Sequence, residues 1–307
     1  RASRRAALDY AGGLSAEPFE TLLRETARQP LRRSATPAPP TAAIETLSGE
    51  RRRLLSILLR QRAGAAAWFP GADSAPAVRL FCFPHAGGGA AAFARWQSAL
   101  PPRFGLCPVR FPGRESRAAE APFEDMAALV EALAKAIQPL ADRPFVCFGH
   151  SMGASVAFEL VRRLRRDGRP LPLGLIVSGA RAPQYRAGWT PPASPSDQEF
   201  RAQLRRLEGV PPEVLDNDGL MRVLLPVLRA DTALYRNYVY SVEPPLDLPL
   251  RAYGGAADPN VREEHVEAWS CQTTRSFAAR IFDGGHFYLN TAPEFLAALA
   301  ADLEAIC

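Results

Sequence analysis

The sequence predicts an α/β fold: a mostly parallel central sheet with helices on both faces and a helical insertion late in the chain. Three observations predict it. Short, near-continuous apolar runs such as Val78–Phe83, Phe145–Phe148 and Leu173–Ser178 alternate with segments of helical periodicity, the pattern of strands buried on both faces. One of those runs meets Gly149-His150-Ser151-Met152-Gly153 and then an amphipathic stretch carrying Val156, Leu160, Val161 and Leu164. A proline-containing segment of about 183–245 breaks the alternation before strands resume, too long for a simple connection and therefore read as a lid.

In chain order, residues 1–75 stand apart as an N-terminal extension. Thr36-Pro37-Ala38-Pro39-Pro40 has linker composition, and Leu47–Arg60 reads as an amphipathic helix capped by Ser48, with Leu54, Leu55, Leu58 and Leu59 in one stripe. That stripe is expected to pack on the main domain rather than to dock a partner.

The main domain is placed at 76–307. Val78–Phe83 is its first strand and Pro84-His85-Ala86-Gly87-Gly88-Gly89 the turn after it; Phe93, Trp96 and Leu100 mark a helix, and Leu106–Phe111 the next strand. Met126, Leu129, Val130, Leu133 and Ile137 repeat with helical spacing ahead of the strand at Phe145. Within the insertion, Ser196–Leu207 opens on a Ser-x-x-Glu capping box and is followed by two further pieces, Leu220–Leu228 and Asp231–Tyr240. Leu250–Tyr253 resumes the sheet, a helix covers about Arg262–Ser270, Phe277–Phe282 is the last strand, and Phe295, Leu296, Leu299 and Leu303 mark a closing helix.

Composition narrows the function classes. The 307 residues are 47% hydrophobic and 22% charged, enough for a large core, and the net charge of +5 comes almost wholly from arginine, since Lys135 is the only lysine. Arginine, alanine and proline richness reflects base composition as readily as binding, so no nucleic-acid partner is read from it. The five cysteines are scattered, with no paired spacing for a metal or redox site, and read as small hydrophobes of a reducing compartment. No apolar run spans a membrane or resembles a signal peptide, so the expected location is cytoplasmic. The first residue, Arg1, suggests a piece of a longer polypeptide.

The chemistry is carried by three residues in a fixed order. A serine between two glycines at a strand-to-helix turn is a nucleophile elbow: the turn presents the hydroxyl and aims the free N–H groups of the new helix at a developing oxyanion. Ser151 needs a base, and of the four histidines His286, in Asp283-Gly284-Gly285-His286-Phe287 after the last strand, sits on the right sheet edge. Asp258, in Gly254-Gly255-Ala256-Ala257-Asp258-Pro259 after the preceding strand, supplies the orienting carboxylate; Asp283 is the alternative, too close along the chain to reach the far ring nitrogen. The order Ser, Asp, His is that of an α/β-hydrolase. His150 is expected to pack beside the site, His265 to be a solvated helix residue, and His85 to be a structural ring in the turn. The backbone N–H groups of Ala86 and Met152 are the chosen oxyanion donors.

Phe83-Pro84-His85-Ala86-Gly87-Gly88, Phe111-Pro112-Gly113-Arg114-Glu115, the Ser151 elbow, Leu225-Pro226-Val227-Leu228-Arg229-Ala230-Asp231, the Asp258 loop and Gly284-Gly285-His286-Phe287-Tyr288 together resemble the type II thioesterases of polyketide synthases and nonribosomal peptide synthetases. The resemblance runs from about Val78 to the C-terminus. It implies hydrolysis of acyl thioesters from the phosphopantetheine arm of an acyl or peptidyl carrier protein, an editing role, with Ser151 as nucleophile, His286 as base, Asp258 as its partner and no cofactor of the enzyme's own. In chain-terminating thioesterases of the same fold the acid commonly follows an earlier strand, which here reads Val177-Ser178-Gly179-Ala180 without a carboxylate. The extension is a departure from the free-standing enzymes and raises the expectation of a domain at the end of a synthase.

For the lid, Phe200, Leu204 and Leu207 on one helical face and Leu224 and Leu228 on another are expected to form an apolar acyl chamber; the alternative is that they only pack the lid. Three rival functions stand beside editing: a chain-releasing thioesterase, a general carboxylesterase and a non-catalytic carrier-docking module.

Overall fold

Six short, mostly apolar runs form the sheet: five are buried along most of their length, while the edge strand Phe277–Phe282 buries only Phe282, and each pairs its backbone with its neighbours. The structure, a computed structural model, describes residues 64–72, 77–187, 195–207 and 212–307. The expected linker and the Leu54 to Leu59 stripe lie outside the described residues. Strands β1 (Val78–Phe83), β2 (Phe104–Pro108), β3 (Phe145–His150), β4 (Leu175–Ser178), β5 (Leu250–Gly255) and β6 (Phe277–Phe282) lie in the order β2-β1-β3-β4-β5-β6, every pair parallel. This is the expected α/β-hydrolase architecture. Helices α1 (Met126–Ile137) and α2 (Met152–Arg166) cover one face, and α7 (Phe295–Ile306) the other.

The chain runs outward from β1 to β2, then crosses back to build the rest of the sheet on the other side of β1. Loops leaving β1 and β3 therefore diverge from adjacent strand ends, where Phe83 pairs with Gly149, and open the crevice typical of such a reversal. The turn with Ala86 and the elbow with Ser151 both start there.

Several boundaries differ from the sequence reading. Residues 64–72 belong to the domain rather than to the extension, because Ala65, Phe69 and Ala72 are buried in its core, Phe69 packs edge-on against Phe81 at 4.8 Å, and the Arg117 guanidinium lies 4.1 Å over the Trp68 ring. Strand β2 ends at Pro108 instead of Phe111: the Val109 N–H still reaches the Cys82 carbonyl at 2.8 Å, but the Arg110 N–H turns to the Trp68 carbonyl at 2.7 Å. Phe93, Trp96 and Leu100 are buried as their spacing requires, but they ride on a 3-10 turn, Ala90–Phe93, and on successive turns after it; steps of three and four residues suit either geometry.

The insertion contains α3 (Asp197–Leu207), the short α4 (Pro212–Leu215) and α5 (Asp218–Asn237). The capping box of α3 forms: the Ser196 N–H donates to Glu199 Oε2 at 2.8 Å and the Glu199 N–H to Ser196 Oγ at 3.3 Å. The two later pieces are one helix. Pro226 sits inside α5 on its exposed side, as does Arg222, whose carbonyl loses its partner to the proline ring, and the buried face from Met221 to Leu234 holds the helix through. Helix α6 (Glu263–Glu267) gives way to a 3-10 turn, Ala268–Gln272. His265 is 5% exposed, contrary to the solvated residue expected, because its ring turns back so that Nδ1 accepts the Arg262 N–H at 3.0 Å. Among the described residues no helix is long and apolar enough to cross a membrane.

Candidate active site

Ser151 sits between β3 and α2 at φ 55°, ψ −117°, a backbone conformation that a side-chain-bearing residue adopts only when its surroundings force it. The force is close packing. A Cβ on Gly149 would stand 2.2 Å from the Gly153 carbonyl oxygen, and one on Gly153 would stand 2.1 Å from that of Phe83, so both glycines of the elbow are sterically required. The Ser151 N–H donates to the Ser178 carbonyl at 2.8 Å, tying the elbow to β4.

His286 and Asp258 reach Ser151 from the two loops that follow β6 and β5. Those loops are laced together by the Ala256 N–H to the Phe282 carbonyl at 2.8 Å and the Ala257 N–H to that of Gly284 at 2.9 Å. The result is a continuous chain: His286 Nε2 lies 2.9 Å from Ser151 Oγ, and His286 Nδ1 lies 2.6 Å from Asp258 Oδ2. Asp258 Oδ1 accepts the N–H groups of Asn260 at 2.8 Å and Val261 at 3.2 Å, which fixes the carboxylate. Burial disfavours its charge, but the hydrogen bond and charge of His286, with those two N–H groups, outweigh it and hold the carboxyl below its ordinary range. Asp283, the alternative, is exposed to solvent.

Met152 follows the serine at the start of α2, and Ala86 lies in the turn that leaves β1 where Phe83 pairs with Gly149. Among the described residues no hydrogen bond takes up either backbone N–H, which leaves both available to a ligand. His150 packs beside the site as expected, buried, with Nδ1 2.9 Å from Ser178 Oγ, which is in turn 2.5 Å from Tyr288 Oη. Ser178, the last residue of β4, thus spends its hydroxyl on this network. Burial, then the neighbouring rings of His286 and His85, hold His150 well below the usual histidine range. His85 packs edge-on against Phe287 at 4.9 Å; burial first, then His286 and Arg114, lowers it to about 4. Two of the three clustered imidazoles are therefore neutral at pH 7.

The lid residues have a local explanation. Phe200, Leu204 and Leu228 are buried in a separate apolar cluster with Leu215 and Met221, with Leu224 partly buried against it. These contacts are the packing role set against the chamber above; the Leu207 side chain lies outside the described set. Among the described residues, Leu228 also approaches the Ala86 turn, near Gly87.

The sequence reading assigned no role to Arg114 or Asp231, which bond to the Gly-rich turn, or to Glu115, which accepts the Ala91 N–H just after it. A signal existed: Asp231 shares a helical face with Leu228, and a carboxylate on an apolar stripe asks for a buried partner.

The family model for the thioesterase domain matches residues 78–307. The chain belongs to the thioesterase family. The thioesterase is 42% identical over 224 residues to the gramicidin S biosynthesis protein GrsT of Aneurinibacillus migulanus, covering 72% of this chain and 88% of that one. Its structure resembles RedJ, a thioesterase of the prodiginine pathway in Streptomyces coelicolor, with a TM-score of 0.70 and 40% identity over 76% of this chain and 92% of that one. It also resembles the type II thioesterase BorB of the borrelidin cluster, with a TM-score of 0.68 and 36% identity over 76% and 97% of the two chains. As a thioesterase, the protein is a hydrolase of thioesters, which sets aside the non-catalytic docking module.

Proposed function

We propose that the thioesterase clears acyl groups from the phosphopantetheine arm of carrier proteins in polyketide or nonribosomal peptide biosynthesis, an editing activity with Ser151, His286 and Asp258 as its catalytic residues. The observation that carries the mechanism is the unbroken hydrogen-bond chain from Asp258 through His286 to Ser151. With Nδ1–H donated to Asp258, His286 presents a lone pair at Nε2 to the serine hydroxyl. Oγ attacks the thioester carbonyl carbon as its proton passes to Nε2, and the Ala86 and Met152 N–H groups stabilise the oxyanion. Collapse breaks the carbon–sulfur bond, and the imidazolium returns the proton to the pantetheine sulfur. A water then attacks the acyl-serine, its proton going to Nε2 and on to Oγ as the free acid leaves. No step needs a cofactor beyond the arm that bears the substrate.

An editing role is supported by the hydroxyl of Ser178 at the end of β4 and by the likeness to BorB, itself described as a type II thioesterase. Mass spectrometry of a panel of acyl-carrier proteins before and after incubation tests it, with Ser151→Ala as control. Loss of short acyl groups from many carriers is the expected result. Hydrolysis confined to one full-length chain would identify a releasing enzyme instead, and cleavage of oxygen esters as readily as carrier thioesters a general esterase.

A further inference from the structure

Helix α5 reaches down to the turn that carries Ala86. Leu228 and Asp231, nearly one helical turn apart, meet it together: a Cβ on Gly87 would lie 2.3 Å from Leu228 Cδ2, and the Gly87 N–H donates to Asp231 Oδ2 at 2.7 Å. Arg114, from the loop after β2, donates Nη1 to Asp231 Oδ2 at 2.8 Å, Nη2 to Oδ1 at 2.7 Å, and Nη1 also to the Gly88 carbonyl at 2.8 Å. Both charges are buried, Arg114 at 8% and Asp231 at 3% exposure. A carboxylate so far from water is costly unless its partners are in place, so the three contacts form as a set.

The turn requires an outside anchor. The Gly88 N–H donates to the His85 carbonyl at 2.9 Å and Gly87 has φ +77°, the pattern of a type II turn with Ala86 at its second position. Three successive glycines give the stretch little conformational preference of its own. Types I and II differ by rotation of the central peptide, and here that is the Ala86–Gly87 peptide whose N–H Asp231 holds. Glu115 secures the far end, accepting the Ala91 N–H at 3.3 Å while its other oxygen takes Arg110 Nε at 2.8 Å.

We propose that Asp231 and Arg114 are positioning residues for the reaction: through this buried pair, helix α5 sets the turn whose Ala86 N–H stabilises the oxyanion, making the lid helix part of the oxyanion site as well as its cover. The inference rests on the acyl-transfer reading of Ser151 and adds to it a dependence on the lid. Without Asp231 the Gly87 N–H loses its acceptor and the turn its anchor to α5, so the adjoining His85–Ala86 peptide, which carries the Ala86 N–H, is no longer held in place. An oxyanion exists only in the tetrahedral state, so the loss falls on kcat and on tetrahedral mimics, and spares ground-state binding.

The test compares wild type, Asp231→Ala, Asp231→Asn and Arg114→Lys, with Val223→Ala, an exposed position on α5, as control. Measured are kcat and KM for an acyl-N-acetylcysteamine thioester and the inhibition constant of an alkyl boronic acid, which forms a tetrahedral adduct on serine. Folded sites are counted by labelling to completion with a fluorophosphonate, and kcat is expressed per labelled site. For Asp231→Ala the expected result is a loss of roughly 10- to 100-fold in kcat with a parallel weakening of the boronate and KM within about threefold. Asp231→Asn, which keeps one acceptor for the Gly87 N–H, should fall between, and Val223→Ala should match wild type. Labelled sites of the variants turning over at wild-type kcat, with wild-type boronate affinity, would overturn the proposal and leave the pair a structural role. If Asp231→Ala does not fold, Asp231→Asn and Arg114→Lys decide on the same criteria. A wild-type protein that neither labels at Ser151 nor cleaves the thioester would instead overturn the acyl-transfer reading itself.

Discussion

His286 Nε2 stands 2.9 Å from Ser151 Oγ across 135 residues of chain. Groups that act as one unit lose their effect together. Ser151→Ala and His286→Ala are each expected to lower kcat by at least about 10³-fold, and the double variant to be no worse than either alone. Steady-state kinetics on one thioester substrate checks this; additive losses would separate the two residues.

In the proposed mechanism Asp258, 2.6 Å from His286 Nδ1, orients that ring and fixes its tautomer, so Asp258→Asn should keep the fold and lower kcat by about 10⁴-fold with KM little changed. The same residue makes an acid-side contribution to stability. Because its folded pKa is lowered, that contribution is complete above the unfolded aspartate value of about 3.9 and disappears as pH falls through the folded value. Urea denaturation of Asp258→Asn below pH 4 should show a shallower loss than wild type.

The elbow glycines admit no side chain. With backbone atoms 2.2 Å or less from the Cβ positions of Gly149 and Gly153, alanine at either must displace main chain, at an expected cost of about 3 kcal/mol or more. Chemical denaturation would reveal it, and a shift under about 1 kcal/mol would mean that the turn relaxes more easily than its packing implies.

Two histidines make the folded state sensitive to mild acid. His85, lowered to about 4, and His150, held well below its ordinary range by burial, are neutral when folded but protonate near pH 6.5 when unfolded. Stability should be full above pH 6.5 and fall as pH drops toward 4, by up to about 1.4 kcal/mol per pH unit for each ring. Replacing His150 by Gln should remove one ring's share of that slope, measured as denaturation midpoints from pH 7.5 to 4.5.

The lid's own cluster predicts a split between stability and selectivity. Leu204→Ala removes a buried side chain from the cluster with Phe200, Leu215 and Met221, and is expected to destabilise the protein by about 2–5 kcal/mol. Preference between short and long acyl thioesters should stay unchanged; a marked shift would restore the acyl-chamber reading for this residue.

Much of this protein is determined by local pattern alone. All six strands were visible in the sequence as short, mostly apolar runs, including the largely exposed edge strand Phe277–Phe282, as were the elbow, whose glycines mark forbidden Cβ positions, and the order Ser151, Asp258, His286. Hydrogen-bonding choices that depend on distant chain were not visible. The spacing of Phe93, Trp96 and Leu100 fits a helix or a run of 3-10 turns equally well, and Pro226 looks like a break until the buried face of α5 is seen to span it. His265 reads as solvated because its acidic neighbours are, whereas its ring finds a backbone N–H three residues back. Only the tertiary structure decided that Arg114 and Asp231, 117 positions apart, share a buried contact beneath the Ala86 turn. Periodicity records which face of an element avoids water; the partner of a buried charge is fixed by where two separate elements meet, and no stretch of sequence contains that.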